Sequence, residues 1–192
     1  MTTIKPRAGI RLSVAEFLDL PDTEDKCKME LDDGELYIMP RPRLVHNFLS
    51  LWLAWHVLNY FQNFPEPPAD LFQDVIVDVF SDGRYLFAPD LIIVLREREA
   101  ILSDRMVMGA PDIVVEVLSD DRNRDLVHIR RIYAEAGVLE YWPIDPRDDT
   151  VTQLELQNGA YVERAVLGVN DVLTTSLLPG IFNHRRRPPR EE

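Results

Sequence analysis

Apolar residues recur along this chain with two different periods, and the changes from one to the other lay out its elements. Ser13-Val14-Ala15-Glu16 has the S-x-x-E form of a capping box, so a short helix is expected to open there and run to Leu20, where Pro21 stops it. Lys28-Met29-Glu30-Leu31 and Leu36-Tyr37-Ile38-Met39 flank the turn material Asp32-Asp33-Gly34-Glu35, which predicts a β-hairpin with Glu30 near its start. From Arg43 to Phe64, Phe48, Trp52, Trp55, Leu58 and Phe61 fall at helical spacing and predict the longest helix, ended by Pro65-Glu66-Pro67-Pro68. A strand from Phe72 to Val79 follows. Ser81-Asp82-Gly83 then turns the chain toward the strand Leu91-Ile92-Ile93-Val94, entered through Pro89-Asp90.

The run Ile113-Val114-Val115-Glu116-Val117-Leu118 reads as a strand buried on both faces, entered through a second Pro-Asp pair, Pro111-Asp112. A helix from Arg124 to Ala136 turns Leu126, Ile129, Ile132, Tyr133 and Ala136 inward and ends at Gly137. Leu139 to Ile144 is a strand in which Pro143 favours an edge or a bulge. Val151 to Val166 forms a hairpin about the type I′ turn Asn158-Gly159, and the last strand is Val172 to Leu177. Residues 184–192, rich in Arg and Pro, are expected to form a mobile tail. The pattern predicts one α/β domain over residues 1–183: a mixed β-sheet flanked by helices, with an added N-terminal hairpin and a C-terminal β-hairpin.

A chain of 192 residues with 46% hydrophobic content can bury one ordinary core. Cys27 is the only cysteine, which excludes a disulfide framework and a cysteine-rich zinc site and points to a reduced, cytoplasmic compartment. The longest apolar stretch, Phe48 to Phe61, is interrupted by Ser50, His56 and Asn59 and is too short to span a bilayer, so no membrane partner is expected. The net charge of -12 argues against a pure DNA-binding module, because phosphate binding draws on a basic surface. Acids gathered around a metal would account for part of that excess.

Glu116 is the residue that breaks the pattern. An unpaired carboxylate taken out of water costs several kcal/mol, so Glu116 must be paired, protonated or bound to a metal. Asp90 stands at the entrance of a neighbouring strand, and two short strands that each bring one carboxylate to a common region suit Mg²⁺ or Mn²⁺. The same residues also allow a purely structural arrangement in which Asp90 caps a turn and Glu116 pairs with an inward Arg.

The wider pattern resembles a known family. Glu30, Asp33-Gly34-Glu35-Leu36, Met39-Pro40, His46, Pro89-Asp90, the run from Pro111 to Ser119, Tyr133-Ala134-Glu135-Ala136-Gly137-Val138 and Glu140-Tyr141-Trp142 follow the order of the Uma-two family of restriction-endonuclease-like proteins, within the PD-(D/E)XK nuclease superfamily. The resemblance runs from about Leu12 to Phe182. It implies a restriction-endonuclease-like core and Mg²⁺-dependent cleavage of DNA phosphodiesters, with Asp90 and Glu116 as metal ligands and Glu30 as an accessory acid. By analogy, a single-domain nuclease of this kind is expected to pair as a homodimer to cut both strands.

One departure bears on activity. The superfamily places a lysine two residues after the strand glutamate, where this chain has Leu118, and in the Uma-two group that lysine stands in the following helix, four residues before the tyrosine, where this chain has Ile129. Isoleucine can neither position an attacking water nor stabilise charge on phosphate. Arg130 is the nearest substitute and is taken as a candidate catalytic residue, able to stabilise charge but not to act as a base. Asp125 is then an inward acid without a lysine neighbour. The expected function is a divalent-metal-dependent endonuclease weakened or lost through Ile129; the alternative is an inactive nuclease fold kept as a binding or scaffold module. His46 matches a family position, although a histidine in the first turns of a helix is more often a local hydrogen-bond donor than a catalyst. Phe48, Trp52, Trp55 and Phe61 are expected in the core or a subunit interface rather than as a base-stacking platform.

Overall fold

Local signals in the sequence become elements with few exceptions. In the computed structural model, which describes residues 6–23, 25–168, 170–181 and 183–184, the helices are α1 (Val14–Leu18), α2 (Leu44–Phe61) and α3 (Arg130–Ala136). The strands are β1 (Lys28–Asp32), β2 (Glu35–Met39), β3 (Ala69–Gln73), β4 (Val77–Asp78), β5 (Leu86–Phe87), β6 (Leu91–Leu95), β7 (Val107–Met108), β8 (Ile113–Val117), β9 (Glu140–Asp145), β10 (Thr150–Gln157), β11 (Ala160–Leu167), β12 (Val172–Leu173) and β13 (Asn183–His184). The tail expected over residues 184–192 lies, apart from the backbone of His184, outside the described residues. No helix among the described residues is long and apolar enough to cross a membrane.

A six-stranded mixed sheet in the order β11-β10-β9-β8-β6-β3 forms the centre, and a five-stranded sheet, β2-β1-β5-β4-β7, stands beside it. Alternation along β6 and β8 decides what covers each face. Leu91, Ile93, Ile113 and Val115 pack with Leu53, Ala54, Val57 and Phe61 of α2. Ile92, Val94 and Val114 pack in a separate cluster with Ile129 and with Ile132 and Tyr133 of α3. The sheet is therefore buried on both faces, which is why β6 and β8 read as unbroken apolar runs.

Three expectations need correction. The strand expected from Phe72 to Val79 is split into β3 and β4, which belong to different sheets; Asp74, with φ 51°, breaks it. Pro143 is not on an edge: β9 lies between β8 and β10. The β9–β10 register pairs Tyr141 and Ile144 but not Trp142 or Pro143, so the proline sits where the ladder is interrupted and no donor is missed. The strand expected from Val172 to Leu177 is only β12, Val172–Leu173.

The second Pro-Asp pair is structural. Asp112 is fully buried, its Oδ2 accepts from Leu95 N at 2.8 Å and its Oδ1 from Arg98 Nη1 at 2.9 Å, tying the entrance of β8 to the end of β6. Removing one partner of a buried pair strands the other charge. Arg98→Ala is expected to lower stability by about 2–4 kcal/mol, toward the lower end for buried pairs because the guanidinium is partly exposed. Urea unfolding at neutral pH measures this; a change within about 0.5 kcal/mol would mean that Asp112 does not depend on Arg98.

Candidate active site

The antiparallel register of β6 and β8 pairs Leu91 with Val115, so one step further it sets Asp90 against Glu116. The two acids are stitched together there: Asp90 Oδ2 accepts from Val117 N at 2.7 Å, and Glu116 Oε2 accepts from Asp90 N at 3.4 Å. The small sheet delivers the next groups. β1 is held to β5 at the Leu31–Leu86 pair, and Glu30 Oε1 accepts from Ala88 N at 3.1 Å, two residues before Asp90. Residues two apart on a strand share a face, so Lys28 lies beside Glu30. Its Nζ is 4.0 Å from Glu30 Oε1 and 3.9 Å from Asp90 Oδ1. From the other side α2 brings His46, whose Nε2 is 3.1 Å from Asp90 Oδ2.

Burial and charge pull these groups in different directions. Burial of Lys28 favours its neutral form, but the carboxylates of Glu116, Glu30 and Asp90 outweigh it and hold the amine protonated well beyond its ordinary range. For Asp90, burial favours the acid; the His46 hydrogen bond, the Lys28 charge and the Val117 N–H overcome it and leave the carboxyl below its usual value. Glu116 goes the other way. Burial raises it, Lys28 opposes, and the charges of Asp90, Glu30 and Asp125 push it further, so it stands well above an ordinary glutamic acid. Tyr133 donates to Glu116 Oε1 at 3.0 Å, which fixes the carboxyl toward α3.

The other sequence candidates are not all brought here. Glu30 is close, but its Oε2 is already held by Arg124 Nη2 at 2.7 Å. Arg130 is not brought to Asp90 or Glu116; its guanidinium donates to the Tyr161 carbonyl at 3.2 Å. Ile129 is buried in the apolar cluster below Tyr133. Asp125 accepts from Ser119 N and Oγ, both at 2.7 Å, and closes the turn after β8.

Sequence reasoning missed two cations, Lys28 and Arg124. Arg124 lies in a π-helical turn, Arg124–Ile129, that runs into α3, and its guanidinium covers the Tyr37 ring at 4.3 Å. Helical periodicity gives no warning of that turn. Lys28 had a signal: K-x-E on a strand places amine and carboxylate side by side on one face.

Lys28, His46 and Asp90 open onto a cleft of about 510 Å³, whose wall also carries Asn47, Ser50 and Gln73. The mixed α/β architecture is that of a restriction-endonuclease-like fold. The chain belongs to the Uma2 family, described as "Putative restriction endonuclease", which matches residues 14–184. The crystal structure of a "putative nuclease belonging to DUF820" from Anabaena variabilis shares the fold, with a TM-score of 0.67 and 21% sequence identity over 87% of this chain and 91% of that one. No curated protein matches the chain.

Raising the Glu116 carboxyl has a consequence for stability. A carboxyl whose value is higher folded than unfolded stabilises the fold below its ordinary range, and that contribution is lost as pH rises through the raised value. Glu116→Gln removes the ionisation, so it is expected to raise the melting temperature of the metal-free protein, by a margin that widens as pH rises from the ordinary glutamate range toward the raised value. Melting curves across that range test it; a margin independent of pH would show that Glu116 ionises normally.

Proposed function

We propose that this chain is a divalent-metal-dependent DNA endonuclease in which Asp90 and Glu116 are the metal ligands and Lys28 supplies the ammonium that Ile129 cannot. The observation that carries this reading is the position of Lys28: a protonated amine, largely buried, within 4.0 Å of Glu30 and 3.9 Å of Asp90, at the wall of an open cleft. Lys28 reaches two carboxylates at once from the wall of a cleft, and buried, electrostatically perturbed groups of this kind cluster at functional sites.

The donor set fits a small hard cation. Asp90 and Glu116 are oxygen donors set opposite each other on adjacent strands, and ionised Glu116 is destabilised first by burial and then by its acidic neighbours, a strain that a cation would relieve. Among the described residues no group of three or more His, Cys, Asp or Glu side chains forms a metal cage. Mg²⁺ and Mn²⁺ bind through one or two carboxylates and keep waters, so Asp90 and Glu116 would be enough to hold either. When bound, such an ion would polarise a phosphoryl oxygen and make a coordinated water more acidic.

Each neighbouring residue has work to do around that pair. His46 and Val117 N occupy Asp90 Oδ2, while Asp90 Oδ1 faces Lys28. Tyr133 orients Glu116. Arg124 and Ala88 N hold Glu30, and through it β1, so that Lys28 is positioned to hold a phosphate oxygen and stabilise the negative charge that builds there. Arg130 has no catalytic part in this reading, because the Tyr161 carbonyl takes its guanidinium. Two polar atoms, His46 Nδ1 and Arg124 Nε, are buried without a hydrogen-bond partner among the described residues. The protein would act in the cytoplasm, as a homodimer able to reach both strands.

Cleavage of supercoiled plasmid in Mg²⁺ or Mn²⁺ tests the proposal. Wild type is expected to cut; Asp90→Ala and Glu116→Ala are expected to abolish cutting, and Lys28→Met to slow it by about 10²–10³, the usual loss of one charge stabiliser. Arg130→Ala is expected to cut as wild type does. Wild-type rates in Lys28→Met would remove the lysine from the mechanism. A folded wild type that cuts with neither metal would favour the binding-module reading.

A further inference from the structure

Helix α2 is apolar on both sides. Its inward face, with Ser50, Leu53, Ala54, Val57 and Phe61, is buried. Opposite lie Leu44, Phe48, Leu51, Trp55 and Leu58, spaced alternately four and three residues apart, and these are the side chains left open, from 41% for Phe48 to 89% for Leu44. At about 100° per residue the five fall within roughly a quarter-turn of the helix surface, a continuous stripe with the 3.5-residue repeat of a helix-pairing seam. A helix hydrophobic on all sides belongs in an interior, so this face is built to be covered.

We infer that the stripe docks a second copy of this chain, α2 against α2, in an isologous homodimer. Charge supports that occupant. The chain carries -12 overall, yet α2 contains no Asp, Glu, Lys or Arg in its 18 residues. Two copies with the same negative charge repel at most approaches, and meet without opposed formal charges along this helix. Symmetry supports it as well: a two-fold interface must be complementary to itself, and a row of Leu, Phe, Leu, Trp and Leu is so whichever way the helices run. The area suffices. With about 150–250 Å² for a large side chain, the exposed parts amount to roughly 500 Å² per copy, and burying two such stripes removes roughly 1,000 Å², about the lower limit for a specific interface. The α2 residues that line the cleft, His46, Asn47 and Ser50, lie off the stripe, so pairing fixes the helix that carries His46 from its far side.

This gives the homodimer of the nuclease reading its contact face, and it rests on that reading only for the expectation of a dimer. The experiment therefore reads mass and not cleavage. Sedimentation velocity of the full chain across micromolar concentrations is expected to show a dimer for wild type. Leu51→Glu and Trp55→Glu, both at exposed positions, are expected to raise the dissociation constant at least about 30-fold while the far-ultraviolet circular dichroism of the folded chain is unchanged. Val162→Glu, at an exposed position on β11, is expected to leave the dimer intact. Leu51→Cys, at the middle of the stripe, is expected to form an interchain disulfide on oxidation where wild type does not. A wild type that stays monomeric at every concentration, or a dimer that Leu51→Glu and Trp55→Glu both leave intact, overturns the inference.

Discussion

One ammonium group in a nest of carboxylates governs the arrangement of this molecule. Glu30, Asp90 and Glu116 come from three strands and would repel one another without a cation between them, and burying even one unpaired carboxylate costs several kcal/mol. Lys28 lies within 3.9–4.0 Å of two of them. That contact requires β1 to sit against β5 with Glu30 anchored on Ala88 N, so the small sheet is the device that holds a positive charge over the edge of the large one. Arg124 does the same from the opposite flank, pairing with Glu30 and covering Tyr37 of β2. Lys28 thus fastens the hairpin to the core through Asp90, and Arg124 does so through Glu30.

The elements were legible wherever one residue or one period decides the local backbone. The capping box at Ser13, the Asp33-Gly34 and Asn158-Gly159 turns and the Gly137 helix stop all stand as the sequence implies, because each rests on backbone preferences of the residues themselves. What failed was assignment to a sheet. Nothing local distinguishes β3 from β4, and the left-handed Asp74 that separates them is an ordinary-looking aspartate. Pro143 misled for a related reason. A proline argues against a central strand only if its N–H is needed, and the interrupted β9–β10 ladder means that it is not.

The site divides in the same way. Asp90 and Glu116 could be singled out because an acid in an apolar run is anomalous on its own terms. The pair Pro111-Asp112 carries the same two letters as Pro89-Asp90 yet ends as a sealed structural link, its carboxylate filled by Arg98 and Leu95 N. What separates them is the partner supplied from elsewhere in the chain: Asp112 meets an arginine close in sequence, whereas Asp90 meets His46 and Lys28 across long separations. Pairings of that kind depend on tertiary contact and leave no trace in spacing.

The lysine question turns on distance and not on sequence position. An ammonium acts on phosphate through its charge, so it can be supplied from any backbone that puts the amine beside the carboxylates. In this chain β1 puts an amine beside Glu30 and Asp90, and under the proposed reading the helix position is released from that duty. Ile129 is buried in one apolar cluster with Ile132, Tyr133 and Tyr141, and Tyr133 is the tyrosine that donates to Glu116. A second ammonium there would have to share the same acids with Lys28, adding like-charge repulsion and the desolvation of another cation while removing an apolar contact. Isoleucine at this position is therefore what the packing favours once an ammonium stands on the hairpin, and under the proposed reading the departure is a relocation of the charge.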